Sequence, residues 1–166
     1  MKTKIEELEK KITPNSKVLL LPYPNNPTGG IMKKEDYEAI ADIVVKHDLF
    51  VICDEIYSEL VYGGEKHYSF AALPGMKERS LVLNGCSKAF AMTGWRIGYT
   101  GSSAEIAKLM GSVQSHQTSN PNSIAQKATV EALLGPQDTV QEMNKEFDKR
   151  RIYMYERVAK MELVDA

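Results

Sequence analysis

Residues 80–101, SLVLNGCSKAFAMTGWRIGYTG, decide the fold. SLVLN at 80–84 is a short apolar run with the composition of a buried strand, and RIGYTG at 96–101 reads as a neighbouring strand. Working outward, LFVIC at 49–53 and KVLLL at 17–21 are two more runs of the same kind. Residues 33–47, KKEDYEAIADIVVKH, place Tyr37, Ile40, Ala41, Val44 and Val45 at helical spacing. Short apolar strands alternating with helical segments imply βαβ units and a mostly parallel sheet, the α/β class. Residues 103–115 and 122–134 are helical in pattern, and Gly135-Pro136 breaks the second of them. Residues 137–161 form a long amphipathic stretch, with Val140, Met143, Phe147, Met154, Val158 and Met161 at three-to-four spacing and Arg151 interrupting the stripe.

Composition narrows the function classes. The chain has 166 residues, enough for one domain with a real core. A formal net charge of −1 leaves no broad electrostatic footprint for nucleic acid. No apolar run approaches the roughly 18 residues of a membrane span. The opening MKTKIEELEKKI lacks the apolar centre of a signal peptide, so a cytoplasmic location is expected. Cys53 and Cys86 each sit in an apolar run and are expected to be buried, reduced thiols. No His or Cys stands at metal-ligand spacing from either, and His47, His67 and His116 are scattered.

Ligands of open α/β sheets gather beyond the carboxyl ends of the strands. After the first strand comes Pro22-Tyr23-Pro24-Asn25-Asn26-Pro27-Thr28-Gly29-Gly30; after the second, Asp54-Glu55-Ile56-Tyr57. After the third come Gly85-Cys86-Ser87-Lys88 and then Met92-Thr93-Gly94-Trp95-Arg96. Each residue alone has an ordinary reading: Asn26 in a turn, Asp54 a helix cap, Tyr57 packing, Lys88 a solvated lysine, Arg96 a surface pair. Together they answer one chemical need. An aromatic aldehyde cofactor needs an amine to form an imine, and a carboxylate at its pyridine nitrogen. It also needs donors to its phenolic oxygen and a cation for its phosphate. Lys88, Asp54, Asn26 with Tyr57, and Arg96 match those needs in turn.

The segments PNNPTGG, DEIYSELVY and NGCSKAFAMTGWRIGY resemble the signatures of fold-type I, class I aminotransferases that depend on pyridoxal 5'-phosphate (PLP). The bacterial aspartate and aromatic subgroup is the most similar, and SVQSHQTSNPNSIAQKATVEALL at 112–134 resembles it too. The resemblance implies part of a PLP-transferase large domain, with three parallel strands and one antiparallel neighbour flanked by helices in three α/β/α layers. It implies that Lys88 forms the Schiff base with PLP and then shuttles a proton as general acid/base. It assigns Asp54 to the pyridine nitrogen, Tyr57 and Asn26 to the phenolic oxygen, and Arg96 to the phosphate. Asn26 also falls near the substrate carboxylate. Many relatives carry a serine three residues before the lysine; here that position is Gly85, and Ser87 is the hydroxyl left to compensate.

The same resemblance implies an L-amino acid and a 2-oxo acid as substrates, with a homodimer as the assembly. Family chains are longer at both ends. Residues 1–166 are therefore expected to be one partial PLP-binding domain, with 137–161 leading to a missing small domain. The upstream phosphate cradle and the downstream arginine for the substrate carboxylate have no match, so transamination by this fragment is expected to be weak or absent. Two competing readings are a PLP-dependent β-lyase of the same fold and a non-catalytic ligand-binding or dimerisation module.

Overall fold

Apolar runs become strands where a helix can cover them, and the computed structural model, which describes residues 5–162, follows that rule. Strands β1 (Val18–Pro22), β2 (Phe50–Asp54), β3 (Ser80–Gly85) and β4 (Gly98–Gly101) form one sheet in the order β1-β2-β3-β4. The first two pairings are parallel and the β3–β4 pairing is antiparallel. Before β1 lies helix α1 (Ile5–Lys11), a segment whose charge gave no helical signal at the sequence level. Helix α1 is tied down by Glu9, which accepts hydrogen bonds from Lys46 Nζ at 2.7 Å and pairs with His47 Nε2 at 3.1 Å. The bond from Lys46 first, and then that from His47, hold the Glu9 carboxyl below the usual range.

A parallel pair needs a crossover, and the two crossovers differ. The first is helix α2 (Lys34–Lys46), opened by Asp36, which accepts the Lys33 backbone N–H at 3.0 Å. Of the positions read from the spacing, Tyr37, Ile40 and Val44 are buried and Ala41 is half-buried, but Val45 is 56% exposed and Ile43 is buried in its place. The second crossover contains no α-helix, only 3-10 turns at Phe70–Ala72 and Lys77–Arg79. Gly63, Gly64, Pro74 and Gly75 interrupt this stretch and stop a helix from propagating.

The main core lies between α2 and one face of the sheet. Tyr37, Ile40 and Val44 meet Leu21, Val51 and Cys53, and the crossover adds Phe70, Leu73 and Met76. Tyr37 and Phe70 pack edge to face with centroids 5.7 Å apart. On the other sheet face Val18 and Leu20 stay more than half exposed, at 54% and 57%. A smaller cluster of Cys86, Met92, Ile97 and Ala125 joins α3 (Cys86–Ala89), the 3-10 turn Thr93–Trp95 and α5 (Ser123–Leu134). Both cysteines are buried and unbridged.

Helix α4 (Ala104–Gln117) starts on Ser103, whose Oγ accepts the Ile106 N–H, and buries none of its residues. Helix α5 starts on Asn122, whose Oδ1 accepts the N–H groups of Ile124 and Ala125. The stripe of α6 (Asp138–Val158) packs mainly along its first half, and Val158 at its end is half-buried. Val140 is buried and Met143 and Phe147 are half-buried, but Met154 further along is 59% exposed. Arg151 stacks over the Tyr62 ring, with 5.7 Å to the centroid, and pairs with Asp148. Among the described residues no helix is long and apolar enough to cross a membrane, and no cluster of three or more potential metal ligands occurs.

Candidate active site at the strand ends

The register of the sheet sets the site. Pro22 pairs with Asp54 and Asp54 with Leu83, so β1, β2 and β3 deliver their following segments side by side. The loop after β1 carries Asn26, the turn after β2 carries Tyr57, and α3 after β3 carries Ser87 and Lys88. The loop after β1 is braced internally: Asn25 Oδ1 accepts the Thr28 hydroxyl at 2.7 Å, and the Asn25 N–H reaches Gly30 O at 2.8 Å. Its Tyr23-Pro24 and Asn26-Pro27 peptide bonds are cis.

These segments bring three predicted residues together. Asn26 Nδ2 donates to the Tyr57 hydroxyl at 2.9 Å, across 31 positions of sequence. Lys88 Nζ lies over the same Tyr57 ring, 5.6 Å from its centroid. Asp54 ends β2 three residues before Tyr57, and its Oδ1 accepts the Ile56 N–H at 3.2 Å, which closes the turn. Tyr57, Lys88, Asp54 and Ser87 are half-buried; Asn26 is exposed.

Arg96 is placed differently. It is exposed, and its Nη1 donates to the Thr93 carbonyl at 2.9 Å. Its backbone is left-handed (φ 51°), as is that of Ala91 (φ 52°), so the loop between α3 and β4 holds two strained non-glycine residues. Among the described residues, neither Arg96 nor Asp54 makes a hydrogen bond or ion pair with Asn26, Tyr57 or Lys88, and Lys88 has no acidic partner. An amine with no acidic partner among the described residues and a phenol held by an amide, with a carboxylate three residues earlier at the end of β2, are groups suited to an aldehyde-bearing aromatic ring. A groove of about 570 Å³ borders this group, running from Asn26 and Tyr57 past Tyr62 to Arg151.

The Gly85 departure has a steric basis. A Cβ there would stand 3.0 Å from Gly98 Cα and 3.1 Å from Ile97 O. Gly85 and Gly98 are cross-strand partners, so β3 and β4 approach closely where α3 begins.

Sequence reasoning missed one polar group. Glu55, next to Asp54, is only 5% exposed, and it holds His67 and Ser69. The available signal was alternation. A residue one step from a site-facing Asp54 turns toward the core, where a charge needs partners.

Comparison with known proteins gives the chain a lineage. The family model for aminotransferase class I and II matches residues 1–164. The chain is 41% identical over 157 residues to the aspartate aminotransferase of Geobacillus stearothermophilus, covering 94% of this chain and 40% of that protein. It is 43% identical over 161 residues to the aspartate aminotransferase of Pyrococcus abyssi, covering 96% and 41%. Among solved structures, the aromatic aminotransferase from Pyrococcus horikoshii superposes with a TM-score of 0.93 at 41% identity. That match covers 96% of this chain and 43% of that one. The chain thus spans about two fifths of the length of the relatives it matches.

Proposed function

Because this chain belongs to the aminotransferase class I and II family, we propose that it is the lysine-bearing part of a PLP-dependent aminotransferase, which moves an amino group from an L-amino acid to a 2-oxo acid. The observation that carries this reading is the meeting of Asn26, Tyr57 and Lys88 just after the strand that ends in Asp54. When bound, PLP supplies an electron sink for the pair released at the substrate Cα.

The protein's own residues then have distinct work. Lys88 Nζ would hold the cofactor by its aldehyde carbon and, once freed by substrate, would take the proton from the substrate Cα and deliver it to that cofactor carbon. Asp54 holds a proton on the pyridine nitrogen through its carboxylate. Tyr57 Oη and Asn26 Nδ2 hydrogen-bond the phenolic oxygen and favour its anionic form. Arg96 and Ser87 would hold the phosphate oxygens. Asn26 also lies at the substrate carboxylate. The apolar residues Leu109 and Val113 of α4, 62% and 57% exposed, are surface that a homodimer would cover.

Incubation with PLP, borohydride reduction and peptide mass spectrometry test this reading without requiring turnover. The expected result is one dominant adduct, on Lys88, that disappears in Lys88→Ala. Labelling spread evenly over surface lysines, and unchanged in that variant, would refute it.

A further inference from the structure

Asp54 and Glu55 are adjacent in sequence but serve opposite sides of the sheet. The charge of Glu55 is felt on the core side, where burial first and Glu55 second push the Cys53 thiol up to about 12. The same two causes, in the same order, raise the Tyr37 phenol. A buried carboxylate is costly unless its oxygens are hydrogen-bonded. Here both are. Ser69 Oγ donates to Oε1 at 2.7 Å, and His67 Nε2 lies 2.9 Å from Oε2. The His67 side chain is itself only 15% exposed. The segment it belongs to continues into Phe70, which is fully buried in the main core.

The backbone of Glu55 is pinned as well. Its N–H donates to Leu83 O in β3 at 2.9 Å, and its carbonyl accepts the Ser58 N–H at 2.9 Å, enclosing Tyr57 in the turn. Residue 55 is thus the point at which the turn bearing Asp54 and Tyr57 is fastened to β3 and to the core. Among the described residues none of these three side chains hydrogen-bonds with Asn26, Asp54, Tyr57 or Lys88.

We propose that Glu55, held by His67 and Ser69, is a positioning residue for PLP: it fixes the Asp54–Tyr57 turn in the geometry that binds the cofactor ring. This rests on the assignment of Asp54 and Tyr57 to the cofactor given above. Outer partners that orient ligands at metal sites are worth roughly 10–100-fold in affinity, and the lower figure is taken here because the turn keeps its backbone bonds.

The test is PLP affinity by absorbance titration, paired with urea unfolding of the same proteins without PLP. Glu55→Gln and Ser69→Ala are expected to weaken PLP binding by about tenfold even where the protein is fully folded. His67→Gln, which keeps a donor, is expected to bind nearly as wild type, whereas His67→Leu is not. A purely structural role would lower the urea midpoint and leave the affinity of the folded protein unchanged, and that result overturns the proposal. Asp54→Asn separates the two levels. If it weakens binding while the Glu55 and Ser69 variants do not, the positioning role alone is wrong. If neither Asp54→Asn nor Lys88→Ala alters binding, the cofactor assignment fails and takes the positioning role with it.

Discussion

Replacing Gly85 tests whether the β3–β4 junction is as tight as its geometry indicates. A Cβ at Gly85 would meet Gly98 Cα at 3.0 Å, Ile97 O at 3.1 Å and Ile56 Cδ1 at 3.3 Å. Comfortable carbon contacts lie near 3.5–4.0 Å, so the added methyl is a few tenths of an ångström too close to two backbone groups. Backbone cannot rotate away as a side-chain tip can, so β4 must shift. Overpacking of this kind costs about 1–3 kcal/mol. The reduced freedom of the unfolded chain in a Gly→Ala change returns only about 0.4–1 kcal/mol. Gly85→Ala should therefore be destabilised by about 1–2 kcal/mol net, a fall in melting temperature of a few degrees for a chain of this size. Gly94→Ala, where nothing lies within 4 Å of the added atom, is the control for an open position. Urea unfolding followed by far-UV circular dichroism measures both. Gly85→Ser should be destabilised as well, and should bind PLP more weakly than wild type, because α3 and Lys88 start from this junction. A Gly85→Ala midpoint equal to or above wild type would refute the close-approach argument. Tighter PLP binding by Gly85→Ser would show that the serine of many relatives can be accommodated here after all.

Two further outcomes follow from the core. Ile40 is 1% exposed between α2 and the sheet, so Ile40→Ala should cost about 2–5 kcal/mol in urea unfolding; a loss under about 0.5 kcal/mol would mean that α2 is not seated as described. The Cys53 thiol, raised from 9.0 to about 12, favours its neutral form in the folded state. Its contribution to stability is therefore fully present below the unfolded value and lost as pH rises from about 9 towards 12. Folded protein should resist alkylation at Cys53 near pH 8 and become less stable to urea above pH 9, with Cys53→Ala flattening that decline; equal alkylation in folded and unfolded protein would contradict the burial.

Much of the fold was legible because its signals are local. The runs at 17–21, 49–53 and 80–84 became β1, β2 and β3 within a residue of their expected ends, and 33–47 became α2, with Tyr37, Ile40 and Val44 on its buried face but Val45 exposed. The strand expected at 96–101 is shorter, Gly98–Gly101, because Arg96 turns left-handed and Ile97 is drawn into the smaller core. Helix α1 was not legible, since its hold on the body is a contact between Glu9 and the distant Lys46 and His47. The stripe of α6 was read correctly as amphipathic, but periodicity says nothing about where a packing partner ends, and Met154 lies beyond it.

The chemistry divides along the same line. Residue types and their order after successive strands are properties of the chain, and the sequence by itself determined the family resemblance, the α/β class and the candidates Asn26, Asp54, Tyr57, Lys88 and Arg96. Distances across the chain are not. Only the tertiary structure decided that Asn26 and Tyr57 meet at 2.9 Å, that Lys88 lies over the same ring, and that Arg96 stands apart on its own turn. It also decided that Gly85 closely faces Gly98 and Ile97 of the neighbouring strand region and that Glu55 is held by His67 and Ser69. Strand periodicity can say which way a side chain faces, but the partner it meets there is set by pairing register and loop closure, which bring together residues remote in sequence.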